Sequence, residues 1–576
     1  MLRNAKFTTI LLTVCIALLA SCSVSASTEF ATAASYRVPP QGHYNTFATN
    51  FLDLGQMSRD LIEMPLALYY WEADDWMKLG AADWELLAEE NTYRVYLREG
   101  VKWHDGSQLT SKDVLATFHL GHLMNWAVWN YVDSVDAVDE YTVDFHMHRP
   151  ASVVLRYILR ERIRPYSVYG EYYERLLALT DAGKDLESSE VKQLKVEFSQ
   201  FRPRTIIGTG PYTIEPHDVT EAVVVLRRFA DYWDPESIKF DKVTVYNGET
   251  LVTTPLVMAK EVDFTQNVYP PATEQRFEEM GLSSPRSPYY WGAGLYFNHD
   301  VYPLNRKEVR QAIAYAVDRE EATYVSVRKS GYPQEKMTGM SDRFIPLWLD
   351  EEERVKLNPY SHDLAKAAAL LESIGFEKNS AGKWLDDNGK PMKYELVVPA
   401  EYLDWAASAM NIASQLSDFG IDVSVRGVTH SQVPQEIWSG RFEMVVFSWG
   451  TANPHPHFSY YQNLVSYNYP QGQGPGMNFP LVQETDEFGT VDLFDMVNAT
   501  ADGLDEEAQR ATVAKLALIF NDLLPVIPMY EGSYNCPTID GVRANFPAHD
   551  HPVWKNGGGD FPPMVFLYEG AIEPVK

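Results

Sequence analysis

The feature that most constrains the fold is a short apolar run, Met444 to Phe447, followed at once by Trp449 and a polar loop. A continuous apolar run of this length is typical of a strand buried on both faces of a sheet. Gly450, Pro454 and Pro456 then break the strand pattern. Ligands of open α/β sheets bind at the carboxyl ends of such strands. We therefore predict a ligand site at this loop, with a core tryptophan followed by an ordinary surface loop as the alternative.

The first 22 residues have the pattern of an export signal. Two basic residues precede an apolar run, Ile10 to Ala20, that is too short to span a bilayer. Small residues then lead to Cys22, which resembles the lipid-bearing cysteine of a bacterial lipoprotein signal. Ordinary secretory cleavage after Ala33 is the alternative. Residues 23–35 are rich in Ser, Thr and Ala and are expected to form a flexible tether.

Length, net charge and cysteine content limit the number of lobes, the possible partners and the possible disulfide and metal sites of the rest of the chain. A chain of 576 residues is too long for one hydrophobic core, so two or more lobes are expected. The net charge of -30 argues against nucleic acid and anionic membrane surfaces as partners. Cys15 lies in the signal and Cys22 would carry the lipid, so Cys536 has no disulfide partner and no cysteine metal site is predicted. No later apolar run reaches spanning length, so we expect only a lipid anchor.

Alternating strand and helix patterns predict an α/β fold. Residues 93–97 alternate between apolar and polar side chains, as in a half-buried strand. Thr110 to Asp113 resembles a capping box at the start of a helix. His104 and Asp105, which stand beside Gly106, are interpreted as turn residues rather than catalytic ones. Apolar residues recur at helical spacing in four later segments, 309–317, 364–371, 406–413 and 513–520.

Five blocks in consecutive order resemble the signatures of the large bacterial extracellular solute-binding proteins, the oligopeptide-binding type that serves ABC importers (family 5). The blocks are residues 97–114, 208–212, 231–243, 295–298 and 309–319. The second block, Gly208-Thr209-Gly210-Pro211-Tyr212, is not a phosphate loop, because Pro211 lacks a backbone donor and no Lys-Ser/Thr pair follows.

The resemblance implies an α/β, two-lobe periplasmic-binding-protein (Venus flytrap) fold with an extra inserted domain. The implied boundaries are 36–64, 205–291 and 525–576 for lobe I, 65–204 for the inserted domain, and 292–524 for lobe II. A solute would be held between lobes that close around a hinge. The implied partners are a small-molecule ligand, an ABC permease and its ATPase. We expect a monomer with no cofactor and no enzymatic activity.

The ligand loop departs from the family's peptide-binding pattern. Peptide binders typically carry Trp-x-Ala-Asp-Tyr, whose aspartate pairs with the amino terminus of the peptide. Here Trp449 is followed by Gly450-Thr451-Ala452-Asn453, and no carboxylate occurs from Ser448 to Asn478. A buried ammonium without a counter-charge costs several kcal/mol. The missing carboxylate therefore favours an uncharged ligand. The loop also resembles that of the family's oligosaccharide-binding subgroup, so we favour an oligosaccharide.

Sugar rings stack on aromatic rings, and their hydroxyls bind amide and imidazole groups. The predicted ligand-binding residues are Trp71, Tyr290, Trp291, Trp405, Trp449, Asn45, Asn298, Asn453 and His455. The alternative to ligand binding for Asn298 is a role at the hinge only.

Three other functions stay open at this point. An oligopeptide binder would need an acid near the cleft, with Asp404 or Glu443 as candidates. A metal-chelate binder could use the histidine pairs 119/122, 146/148 or 455/457, but no third ligand accompanies any pair. A glycosidase would need paired carboxylates, for which Glu401 and Asp404 beside Trp405 are candidates, although a solvated helix face has the same pattern.

Overall fold

The computed structural model describes residues 27–71, 73, 75–451, 453, 455–468 and 474–576. The predicted signal peptide and Cys22 lie outside these ranges. None of the helices in the described ranges is both long and apolar enough to cross a bilayer.

A four-stranded sheet forms the centre of the first lobe. Its strand order is Glu29–Ala34, Lys242–Asn247, Val223–Arg228 and Tyr212–Thr213. The first strand pairs in parallel with the second, and the other neighbours are antiparallel. The expectation of a tether up to residue 35 is therefore wrong from Glu29 onward. Phe30 and Ala31 are buried in this sheet, so the small residues of the segment pack as a strand.

The inserted segment carries a second four-stranded, antiparallel sheet. Its strand order is Ala81–Leu87, Thr92–Leu97, Thr142–Met147 and Val132–Ala137. Its three longer helices are Ser111–Leu123, Tyr166–Asp181 and Ser189–Gln200. The predicted capping box is present at Thr110 and Asp113. One continuous hydrophobic cluster includes Val95 and Phe145 from this segment and Phe30 from the first lobe, so the insertion shares a core with that lobe.

A six-stranded mixed sheet forms the second lobe. Its strand order is Gly331–Pro333, Val526–Ser533, Pro288–Phe297, Met444–Gly450, Lys393–Pro399 and Asp422–Val428. The longer helices that pack with it are Lys307–Ala316, Arg319–Val327, Leu364–Ser373, Leu403–Phe419 and Glu506–Leu523. Four of these five helices correspond to the four segments whose apolar spacing predicts a helix, although the first of them ends one residue before Val317.

The boundaries between the lobes differ from the expected ones both after Trp291 and at Pro525, because the strand Pro288–Phe297 already belongs to the second-lobe sheet. Val526–Ser533 pairs antiparallel with Pro288–Phe297 inside the second-lobe sheet. Val526, Ile527 and Met529 belong to the hydrophobic core of that sheet. The chain therefore returns to the first lobe after Ser533, because these apolar residues are buried against the second lobe.

Shorter elements complete the fold. The paired short strands are Ala67–Tyr70 with Asp75–Lys78, Glu377–Lys378 with Trp384–Leu385, Val482–Thr485 with Gly489–Asp492, and Ala544–Asn545 with Glu573–Pro574. The remaining α-helices are Gly55–Ile62, Val154–Leu159, Thr250–Ala259, Pro271–Glu279, Ile345–Trp348, Glu351–Lys356, Val433–Trp438, Pro456–Tyr461, Leu493–Ala499 and Phe561–Glu569.

Candidate functional site

A cavity of about 210 Å³ lies between the two lobes. The first lobe contributes Glu249, Thr250, Gln266, Asn267, Val268 and Tyr534. The second lobe contributes Tyr289, Trp291 and residues 401–405. A neighbouring cavity of about 180 Å³ shares Glu249 and Gln266 with it and reaches Asp560. We call the first of these the central cavity.

Local structure places the second-lobe residues at one edge of the six-stranded sheet. Trp291 lies on the strand Pro288–Phe297, opposite Gly450 of the neighbouring strand. Residues 401–405 lead into the helix Leu403–Phe419, which begins directly after Tyr402. Both groups of residues therefore face the same edge, where a ligand can contact side chains and the helix N-terminus.

Aromatic rings form much of the wall. The Trp405 ring packs edge-on against Trp291, with 6.3 Å between centroids, and against Tyr402 at 5.1 Å. Tyr289 stacks on Trp291 at 4.9 Å and contacts Tyr534 of the first lobe at 3.8 Å. The arrangement offers flat apolar faces, and its polar edges can form hydrogen bonds.

Carboxylates from both lobes face the central cavity. Burial raises the pKa of Asp404 to about 6, and the charge of Glu249 acts in the same direction. The Tyr530 hydroxyl donates a hydrogen bond to Asp404 Oδ2 at 3.3 Å. Burial also raises the pKa of Glu249, whose Oε2 accepts a hydrogen bond from Asn267 Nδ2 at 2.9 Å. Among the described residues that line this cavity, there is no lysine, arginine or histidine.

The adjoining cavity adds a further buried acid. Burial raises the pKa of Asp560 to about 6, although its Oδ2 accepts a hydrogen bond from Met57 N at 2.9 Å. With its amide oriented to satisfy both neighbours, Gln266 donates to Asp560 at 2.9 Å and accepts from the Tyr534 hydroxyl at 3.0 Å. Acidic side chains therefore line both cavities.

Two of the predicted ligand residues, Trp291 and Trp405, line the central cavity. Trp71 and Tyr290 do not line it. They pack on each other at 5.0 Å, and Tyr290 stacks on Phe344 at 5.1 Å. Asn453 is half-buried, and its side-chain oxygen accepts from His455 N at 3.4 Å.

The prediction that Trp449 contacts ligand is wrong. The strand continues through Trp449 to Gly450, so the indole stays within the sheet and is 0% exposed. It packs over Gly294 and donates a hydrogen bond from Nε1 to Tyr530 O at 3.2 Å. The alternative interpretation, a core tryptophan, is the one that the structure shows.

Three other predicted ligand residues are also buried inside the fold. Asn45 Nδ2 donates to Phe198 O at 2.8 Å. Asn298 Nδ2 donates to the carbonyls of Gly440 at 3.0 Å and Phe442 at 2.8 Å. His455 caps the helix Pro456–Tyr461, and its ring packs against Trp348. Each side chain satisfies backbone groups or packs in the interior, which explains its burial without a ligand.

The first-lobe side of the central cavity was not predicted from the sequence. Glu249 follows closely after the strand Lys242–Asn247 and directly precedes the helix Thr250–Ala259. The rule that ligands bind at the carboxyl ends of strands would have indicated this position. Within the described ranges, no group of three or more His, Cys, Asp or Glu side chains is placed to hold a metal ion.

A cleft between two lobes of a mixed α/β fold defines the class of two-lobed solute-binding proteins. A family model described as bacterial extracellular solute-binding proteins, family 5 Middle, matches residues 77–471. The match covers more than half of the chain, and the chain therefore belongs to this family. Members of the family are substrate-binding proteins of ABC importers, so the protein binds a small-molecule solute outside the cytoplasm for such an importer.

Curated relatives are distant. Di/tripeptide-binding protein 3 of Pseudomonas aeruginosa is 23% identical over 402 residues, which cover 65% of this chain and 68% of the relative. The glutathione-binding protein GsiB of Pectobacterium atrosepticum is 26% identical over 311 residues, and the match spans about half of each chain, 51% and 52%.

Solved structures agree on the fold. An oligopeptide ABC transporter periplasmic oligopeptide-binding protein of Thermotoga maritima is 21% identical, with a TM-score of 0.78 and coverage of 96% of this chain and 100% of that chain. The same protein bound to mannohexaose gives a TM-score of 0.73 at 20% identity, with coverage of 96% and 99%. NikZ of Campylobacter jejuni, in complex with Ni(L-His), gives 0.70 at 15% identity, with coverage of 94% and 99%.

Proposed function

We propose that this protein captures an uncharged oligosaccharide in the central cavity and delivers it to an ABC importer. The observation that carries the proposal is the composition of the cavity wall. Aromatic faces from Trp291, Trp405 and Tyr402 stand beside the acceptor groups of Asp404 and Glu249, and no basic side chain accompanies them among the described lining residues. Sugar rings can stack on the aromatic faces while their hydroxyls donate to the carboxylates.

The absence of a basic side chain among the described residues that line the central cavity argues against a short zwitterionic peptide that is wholly enclosed. Such a peptide brings an ammonium and a carboxylate. The ammonium could pair with Asp404 or Glu249, but the carboxylate would lie among acids with no cation to pair with. Enclosing an unpaired charge costs several kcal/mol. A neutral sugar has no such cost.

A peptide anchored by its amino end alone is the second candidate. Acids that could pair with an ammonium are present, because Asp404, one of the two acids considered for this role from the sequence, and Glu249 face the cavity from opposite lobes. These acids belong to segments remote from the loop at Asn453, which explains why the loop alone was misleading. The names of the curated relatives, which include di/tripeptide-binding proteins, also favour this candidate.

Titration of intrinsic tryptophan fluorescence tests the two candidates. The mature chain would be titrated with β-linked gluco- and manno-oligosaccharides and, separately, with a mixed peptide pool. A saturable response to a sugar series and none to peptides supports the oligosaccharide. A response to peptides alone supports the second candidate, and silence to both contradicts the two together.

The variant Asp404→Asn sharpens the test. An asparagine can still bond sugar hydroxyls, so sugar affinity should change by less than about tenfold. It cannot pair with an ammonium, so binding of a peptide whose amino end pairs with Asp404 should weaken by more than about 100-fold. Asp418→Asn is the matched control, because Asp418 is exposed on the same helix. It should leave affinity unchanged.

We also propose that the protein is a monomer anchored through a lipid on Cys22 and docks on a permease that works with an ATPase. The order of basic residues, apolar run, small residues and cysteine supports the anchor. Mass spectrometry of the mature N-terminal peptide should show an acylated Cys22. Release of the Cys22→Ser variant from the membrane fraction is the second expected result, and an unmodified N-terminus at Ala34 would contradict the anchor.

A further inference from the structure

A second and larger cavity, of about 800 Å³, lies between the inserted segment and the second lobe. The inserted segment contributes His122, Asn125, Trp129, Asn130 and Arg149, and the second lobe contributes Tyr461, Phe494 and Asn498. None of these residues lines the central cavity. We call it the lateral cavity. Its volume lies within the range of pockets that bind small molecules.

Direct contacts hold the two walls of the lateral cavity together. Arg149 pairs with Asp502 at 2.6 Å, and Gly503 N donates to Pro150 O at 2.7 Å. Nearby, the Tyr131 hydroxyl lies 3.2 Å from His457 Nε2. These contacts fix the separation of the two walls.

The lateral cavity has no unpaired ionic charge among its described lining residues. Arg149 is neutralised by its pairing with Asp502. Burial lowers the pKa of His122 below its usual value, so its imidazole is neutral near pH 7. A charged solute would gain little here and would lose hydration, which favours an uncharged one.

Aromatic faces and free amides provide the contacts. The Trp129 indole stacks on the His122 ring at 4.1 Å with an interplanar angle of 10°. Phe494, on the opposite wall, is 42% exposed although it is a large apolar side chain. In the part of the chain that the structure describes, the side-chain amides of Asn125, Asn130 and Asn498 form no hydrogen bond, which leaves donors and acceptors for a solute.

We propose that the lateral cavity is a second solute site that binds an uncharged, hydroxyl-rich molecule, a short oligosaccharide. Aromatic faces would stack on the sugar rings, and the free amides would bond the hydroxyls. A solute here contacts the inserted segment and the second lobe together. It therefore favours the arrangement in which these parts are closed on each other. This site goes beyond the proposed function, because it can be occupied whether or not the central cavity binds sugar.

Calorimetry and hydrogen exchange on the mature chain test the site, with cellotetraose and mannotetraose as probes. We expect one of the sugars to slow amide exchange in residues 122–130 and 461–466. The variant Phe494→Ala should weaken binding of this sugar at the lateral cavity by about tenfold, because it removes an aromatic face. Because Phe494 is exposed, the fold should survive the change, as circular dichroism would verify.

Trp405→Ala, which removes an aromatic ring from the central cavity, is the counterpart of Phe494→Ala in the lateral cavity. It should leave protection of residues 122–130 intact, which distinguishes failure of the lateral site from failure of the proposed function. The proposal is overturned if neither sugar protects residues 122–130 at millimolar concentration. It is also overturned if Phe494→Ala and Asn498→Ala both leave that protection unchanged, or if peptides alone produce it.

Discussion

Asp404 is one of several buried acids whose raised pKa makes the stability of the protein depend on pH. Burial raises the pKa of this carboxyl from 3.8 to about 6. The folded protein therefore holds the Asp404 proton more tightly than the unfolded chain does. The stability that this proton provides is present below about pH 4 and is lost as the pH rises through about 6. A shift of about two pKa units corresponds to a penalty of about 3 kcal/mol above pH 7.

Asp404→Asn removes the penalty. Asparagine keeps an acceptor for the Tyr530 hydroxyl, which bonds Asp404 Oδ2 in the parent. The favourable position of the Asp404 charge in the first turn of the helix Leu403–Phe419 is already contained in the raised pKa of this carboxyl, so it needs no separate correction. Asp404 also retains partial contact with solvent. We therefore expect the variant to be more stable than the parent by about 2 kcal/mol at pH 8 and by about zero at pH 4.

Urea unfolding of parent and variant at a series of pH values, followed by circular dichroism, measures this difference. Asp418→Asn, an exposed change on the same helix, should stay within about 0.5 kcal/mol of the parent at every pH. A variant that is less stable than the parent at pH 8 would refute the reasoning. So would a gain that is equal at pH 4 and pH 8, because it would show that ionisation of Asp404 is not its source.

Three further changes test the packing around the site by urea unfolding. Trp449→Ala should lower the free energy of unfolding of the second lobe by about 3–5 kcal/mol, since the side chain is fully buried; a loss below about 1 kcal/mol would contradict its place in the core. Asn298→Ala should cost about 1–3 kcal/mol, because the carbonyls of Gly440 and Phe442 lose their donor; a neutral effect would mean that water replaces the amide. Gly292→Ala should cost at least about 1–3 kcal/mol, because its new Cβ would lie 2.0 Å from Tyr530 O; unchanged stability would mean that the strands can separate freely.

Local patterns in the sequence predicted most of the regular structure and the family. Apolar spacing at 309–317 and 513–520 corresponds to the helices Lys307–Ala316 and Glu506–Leu523. The run Met444 to Phe447 is a buried strand, as predicted. These features depend on the pattern of residues that are close in sequence, so they can be predicted from the sequence. The five family blocks are equally local, and the family match agrees with them.

The candidate site depends on contacts between distant segments, and only the tertiary structure decided it. Asp404 and Glu249 are far apart in sequence, yet both face the central cavity. Trp449 has the same residue type as Trp405, but one lies inside the sheet and the other lines the cavity. The spacing of apolar residues in the sequence does not show which aromatic side chain faces the cleft. That depends on strand register and on how the two lobes pack against each other. The sequence by itself therefore determined the elements and the family, whereas the packing of the lobes determined which side chains can contact a solute.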